Sequence, residues 1–207
     1  MRKTIIINIM IAILTTGSLK AENIKALVIV PNNYGANFQC FYEMYEQLGW
    51  DIATASVTQV VQPCPVYASI LGCPPLTVDL LIPDIANVTE YDCVMIMSST
   101  QHAGNPCIEL INSQETLDLL STAVNQGLIV WATCSGIRVL AAADVLQGIN
   151  IQGPSSYNGE FIAAGANIVG TKIPPVIDGN IITTMRGQYY MVQNVYAIIT
   201  AMQNMSN

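Results

Sequence analysis

Charge is what this sequence has least of. Only 10% of its 207 residues are Asp, Glu, Lys or Arg, and seven basic residues stand against fourteen acidic ones. Such a chain has no basic footprint for a polyphosphate backbone, which argues against a nucleic-acid partner. Histidine is scarcer still, with His102 the only one. One imidazole and no pair of closely spaced Cys-x-x-Cys units make a metal centre unexpected, and no cofactor is expected either. Past the N-terminal segment, no apolar stretch runs free of turn signals, so no further membrane segment is expected. Internal repeats and long linkers are missing as well, which leaves a single domain.

What is abundant is apolar surface, at 52% of residues. So much of it with so little charge excludes a disordered chain. It suits a parallel sheet buried on both faces, whose strands read as solid apolar runs. The length is enough for one full core and too short for two large domains.

The N-terminus reads separately. Arg2 and Lys3 precede an apolar run from Thr4 to Leu14, then small and polar residues from Thr15 to Ser18, with a cleavage point after Ala21. This is the layout of a secretory signal peptide over residues 1–21, cleaved or retained as an anchor, and the run is short for a membrane span. The expected mature domain is 22–207, exported to the periplasm or the medium and free of membrane once the signal is removed. Removal takes away Arg2, Lys3 and Lys20 and leaves a net charge of about −10. Export would put the six cysteines in an oxidising compartment. Cys64 and Cys73 bracket the loop-like "CPVYASILGC" and are the candidate disulfide pair. Cys93, inside "YDCVMIM", reads as a small core residue.

Along the domain, apolar runs alternate with helical periodicity. "IKALVIVP" is a strand. "NFQCFYEMYEQLG" repeats Phe38, Phe41, Met44, Tyr45 and Leu48 at helical spacing and stops at Gly49. "WDIATASV" is the next strand, completing a βαβ unit with a right-handed crossover. Residues 58–83 are Pro-rich and irregular, with room for short strands. "EYDCVMIMSS" is a strand, 115–126 a helix stopped by Gly127, "LIVWATC" a strand, and "GIRVLAAADVLQG" a helix closed by Gly148. "VIDGNIITTM" carries an Asp-Gly turn between apolar runs, and "QYYMVQNVYAIITAMQN" is a closing helix. The pattern predicts a doubly wound α/β fold, mostly parallel, with helices on both faces.

The strongest chemical signal is "LIVWATCSGIRVLAAADVLQG". A buried strand runs straight into Cys134, then Ser135 and Gly136, then a helix. Such an elbow lifts its side chain at the carboxyl end of the sheet, where open α/β sheets place their sites. Amides at the helix start lower a thiol's pKa and hold an oxyanion. A small buried cysteine at a tight turn is the plain alternative.

At "ATCSGIRVLAAADVLQG" the chain resembles the ThiJ/PfpI superfamily, whose fold is related to class I glutamine amidotransferase domains. "IKALVIVP…LGWDIATASV", "VDLLIPDIANVTEYDCVMIMSS" and "NGEFIAAGANIVGTKIPPVIDGNIITTMRG" extend the resemblance, in order, over nearly all of 24–203. It implies a flavodoxin-like fold, a nucleophilic elbow cysteine and, commonly, a homodimer. It leaves the reaction open, since the superfamily holds proteases, glyoxalase- or deglycase-like enzymes, chaperones and silent members.

Three departures bear on the site. Where many members have a Glu at the start of the first helix, Asn37 stands here. Ser135 takes the place of the His that follows the cysteine in protease-like members, leaving His102, in "SSTQHAGN", as the imidazole for proton transfer or a plain loop residue. Ser98 and Ser99 replace a Gly-Gly pair, so the Ser99 and Ser135 amides are the candidate oxyanion donors. Arg186, in "TMRGQ", matches the family's "sRGp" and, with Asn37, Ser98 and Gly136, is expected to line the site. Two functions remain open: a cysteine-dependent hydrolase or glyoxalase-like enzyme on a small carbonyl or acyl compound, or a silent binding or redox-responsive module for polar ligands.

Overall fold

The computed structural model describes residues 24–100 and 104–205. The signal-peptide reading of 1–21 and the position of His102 lie outside the described residues.

The apolar runs form the strands expected of them. β1 (Lys25–Ile29) leads through α1 (Ala36–Gln47) to β2 (Asp51–Ser56), and Gly49 takes the left-handed φ of +75° that ends the helix. After β3 (Val60–Val61), α2 (Pro65–Leu71), β4 (Leu76–Thr77) and β5 (Leu80–Leu81), the chain enters β6 (Cys93–Ile96). α3 (Ile108–Ile111) and α4 (Gln114–Asn125) precede β7 (Ile129–Thr133) and α5 (Ile137–Ala142). β8 (Asn150–Gln152), α6 (Asn158–Ala163), β9 (Asn167–Gly170), β10 (Val176–Asp178), β11 (Ile181–Thr184) and α7 (Met191–Met205) complete the chain.

Seven strands make the main sheet in the order β10-β11-β7-β6-β1-β2-β5. Every pairing in it is parallel except the β10–β11 hairpin at one edge, closed through Gly179 at φ +58°. Alternate side chains point to opposite faces, and both faces are covered. Val28, Met95, Trp131 and Ile182 pack under α1 and α7 against Phe41, Tyr45, Val195 and Ile198. Leu27, Val94, Val130 and Ile181 pack under α4, α5 and α6 against Leu120, Leu140 and Phe161. Each large side chain so buried contributes about 1.5–3 kcal/mol. The doubly wound architecture is therefore as the sequence predicts. Strand order reverses between β1 and β6, which opens a crevice at their carboxyl ends.

Four details differ from the sequence reading. The 58–83 excursion holds its short strands, β3 pairing antiparallel with β4, but also α2, which buries none of its residues and so carries no amphipathic signal. β5 joins the main sheet because Asp79 accepts hydrogen bonds from the Thr54 amide and hydroxyl. α5 stops at Ala142, not near Gly148: Asp144 turns left-handed at φ +56° and the chain folds Leu146 back into the core. Tyr189 and Tyr190 precede α7 instead of starting it, with Tyr189 in a 3₁₀ turn, Gly187–Tyr189. Cys64 and Cys73 are both buried, and the Cys73 thiol donates to Gln39 Oε1 at 2.8 Å.

At the elbow the chain entering α5 approaches β6 closely. A Cβ on Gly136 would lie 2.8 Å from the Ile96 carbonyl oxygen and 3.0 Å from that of Met97. Backbone atoms cannot swing aside as a flexible side chain would. Gly136→Ala should therefore cost about 1–3 kcal/mol, the range for overpacking a close contact. A lowered midpoint in urea denaturation checks this; an unchanged midpoint would mean that α5 has slack over the sheet.

Candidate functional site

Four neighbouring strands, β1, β6, β7 and β11, deliver their following residues to one cleft of about 280 Å³. Gly35, Ala36 and Asn37 enter it from the start of α1, and Ser98, Ser99 and Thr100 from the end of β6. Cys134 lies beneath, after β7. Met185, Arg186 and Gln188, after β11, form one wall, and Tyr67 of α2 another.

Cys134 follows Thr133, the last residue of β7, and opens a 3₁₀ turn, Cys134–Gly136, that runs into α5. Its φ is +50°, a left-handed conformation unusual for a side chain larger than glycine's. The residue is partly exposed, whereas Ser135 and Gly136 are buried. Burial pushes the Cys134 thiol above its ordinary pKa, against the downward pull of the Ser135 amide and the Arg186 charge. At neutral pH the neutral thiol is thus the dominant form.

Asn37 and Ser98 form a pair. Asn37 is 6% exposed, its amide nitrogen donates to Ser98 Oγ, and its Oδ1 accepts from the Phe38 amide at 3.0 Å. Ser98 and Ser99 do without positive φ, so serine fits here unstrained. The Ser99 carbonyl accepts the Ser135 hydroxyl at 2.7 Å, which ties the end of β6 to the elbow.

The two candidate amide donors diverge. The Ser135 amide acts on the Cys134 sulfur, while the Ser99 amide acts on the thiol of Cys107. Cys107 is buried beside Ser135, its Sγ 3.5 Å from Ser135 Oγ. Burial pushes its thiol up to about 12, even with the Ser135 hydroxyl and the Ser99 amide pulling it down.

Two supports were not read from the sequence. Arg138, on α5, is buried; it pairs with Glu160 (Nε to Oε2 at 2.7 Å) and donates to Asn105 Oδ1 and the Pro106 carbonyl. It clamps the residues after the β6 loop to the elbow helix; its available signal was a lone cation in an otherwise apolar helix. The second is a buried polar cluster behind Arg186. Trp131 Nε1 lies 3.3 Å from both Thr184 Oγ1 and Asn194 Oδ1, Thr184 donates to Asn194 Oδ1 at 2.6 Å, and Asn194 Nδ2 donates to the Gly187 carbonyl at 3.1 Å. A Cβ on Gly187 would meet Thr133 Oγ1 at 2.6 Å and Phe41 at 2.8 Å, so only glycine lets this segment sit against β7 and α1. Asn194→Leu strands the Gly187 carbonyl and the Thr184 hydroxyl in the core. It should cost about 1–3 kcal/mol, read as a lowered urea midpoint; no change would remove Asn194 from the support of Arg186.

Residues 25–197 match the DJ-1/PfpI family. Among curated proteins none matches. Solved structures resemble the fold at low identity. A ThiJ/PfpI domain protein from Brachyspira murdochii superposes with a TM-score of 0.71 at 20% identity, over 88% of this chain and 98% of that one. DJ-1beta from Drosophila melanogaster gives 0.66 at 18%, over 88% and 95%. A two-domain protein from Anabaena variabilis, with DJ-1/ThiJ/PfpI-like and ferritin-like domains, gives 0.72 at 20%; the match covers 87% of this chain and 48% of that longer one. With its sheet order, its elbow and this match over most of its length, the chain belongs to the DJ-1/PfpI family.

Proposed function

We propose that the protein is a cysteine-dependent enzyme acting on small carbonyl or acyl compounds, with Cys134 as its nucleophile. The observation that carries this reading is the backbone of Cys134, held at φ +50° where it lines a polar cleft. A left-handed non-glycine residue costs about 1–3 kcal/mol and persists only where its surroundings impose it, as at functional turns. A cysteine serving only to fill the core would need no such turn.

In the addition step the Cys134 sulfur bonds the carbonyl carbon, the C=O π pair moves onto oxygen, and the thiol proton ends on that oxygen. The Ser135 amide and the Arg186 charge favour the thiolate from which attack occurs. Proton transfer is assigned to His102 or to water. With an acyl substrate, the leaving group departs with a proton and water then releases the acyl group.

A second reading, a binding or redox-responsive module without turnover, draws on Asn37 and Ser98. An amide and a hydroxyl meet there, where an acid or base would serve catalysis, and neither titrates near neutral pH.

Iodoacetamide labelling followed by mass spectrometry separates these readings. A raised pKa means that thiolate, and with it the labelling rate, grows as pH rises through the shifted value. Cys134 should label ahead of buried Cys93 and Cys107, with a midpoint above the ~8.5 of a free cysteine. Arg186→Gln should move that midpoint higher still, because it removes a charge that favours the thiolate. Turnover of methylglyoxal or an ester should vanish in Cys134→Ala. Turnover that survives this substitution, or a Cys134 as inert as Cys93, would sink the enzyme reading; robust turnover by the intact protein would sink the module.

A further inference from the structure

The cleft beside Cys134 is electropositive in an acidic protein. The chain's formal net charge is −7, yet among the described residues no Asp or Glu lines this cleft, and Arg186 does. Among the described residues Arg186 has no carboxylate partner; its guanidinium rests over the Tyr189 ring at 5.3 Å.

The opening turn of α1 faces the same space. This helix of twelve residues starts after extended Gly35, which has no side chain to cap it, and has no acidic residue in its first turn; the Phe38 amide is taken by Asn37 Oδ1 at 3.0 Å, and the Ala36 and Asn37 amides open the helix. A helix N-terminus carries partial positive charge and N–H groups with no partner inside the helix, which suit an anion. A third feature is independent of both. Ser99 is 3% exposed and lines the cleft, and its hydroxyl has no hydrogen-bond partner among the described residues. A buried hydroxyl left unpaired costs about 1–3 kcal/mol, and a ligand oxygen would relieve that cost.

We propose that this cleft binds a small carboxylate and that its substrates are 2-oxo acids, with the carboxylate on Arg186 and the α1 N-terminus and the 2-oxo carbon presented to Cys134. The carbonyl half rests on the reading of Cys134 as nucleophile; the carboxylate half does not. A volume of about 280 Å³ suits a compound of a few heavy atoms, not a peptide. Addition is self-contained: the Cys134 S–H adds across the 2-oxo C=O, an S–C bond forms, the π bond breaks, and the thiol proton moves to the carbonyl oxygen. The product is a thiohemiketal, and no oxidant or reductant takes part.

Calorimetric titration of the whole protein with pyruvate, its neutral analogue pyruvamide, and inorganic phosphate tests this. Pyruvate should bind most tightly. Arg186→Gln should weaken pyruvate about tenfold or more, the scale of one charge-assisted contact, and leave pyruvamide unchanged. Asn37→Asp, which puts a carboxylate into the first turn of α1 at constant size, should weaken pyruvate likewise; this second variant guards against misfolding of the first, with circular dichroism checking both. Pyruvate binding should survive in Cys134→Ala. With pyruvate labelled with ¹³C at C2, a sulfur-bound tetrahedral carbon should appear in the intact protein and be missing from Cys134→Ala. Pyruvamide binding as tightly as pyruvate, or both charge variants leaving pyruvate untouched, overturns the carboxylate site. Phosphate binding as tightly as pyruvate overturns the 2-oxo acid and leaves a general anion site. Pyruvate bound without an adduct overturns the carbonyl half alone; the nucleophile reading falls if methylglyoxal or ester turnover also survives in Cys134→Ala.

Discussion

The site depends on how closely the elbow presses against β6. Gly136 lies so near the Ile96 and Met97 carbonyls that no Cβ fits between them, and Cys134, two residues earlier, must turn left-handed to bring the chain there. The strand fixes one end of this turn and α5 the other. The hydrogen bond from the Ser135 hydroxyl to the Ser99 carbonyl then fastens the turn to the next strand end. The position of the thiol follows from packing, before any chemistry is considered.

The other strand ends converge for the same topological reason. Because β1, β6, β7 and β11 lie side by side and run parallel, their carboxyl ends share one rim. Each brings a different property to it: a helix start after β1, hydroxyls after β6, the thiol after β7 and a guanidinium after β11. The last of these is held in place by the Trp131–Thr184–Asn194 cluster and by Gly187. The supporting residues touch no substrate, yet they set where the charge stands.

The sequence made the frame and the elbow legible because both leave local marks. Solid apolar runs announced the buried strands, Gly49, Gly127 and the Asp-Gly pair announced the turns, and "ATCSG" announced the thiol. What stayed hidden lacks a local mark. α2 buries nothing and so shows no periodicity. The early end of α5 hinges on Asp144, a residue type that enters the left-handed region without glycine's signal. Asn194 and Arg138 act through partners distant in sequence, which no spacing rule reveals.

The electrostatic character of the cleft comes from what replaces what. An amide, not a carboxyl, stands at Asn37, so the Arg186 charge is left without a counter-charge among the lining residues. Burial still holds the thiol above its ordinary pKa against the pull of the Ser135 amide and the Arg186 charge, so any attack by this sulfur would draw on a minor thiolate fraction. The most direct test of the account is a crystal structure of the protein after stoichiometric treatment with iodoacetamide. The added carbamidomethyl group should sit on Cys134 and fill the space between Asn37 and Arg186. An unmodified sulfur packed into the β6–β7 core, with the label elsewhere, would contradict it.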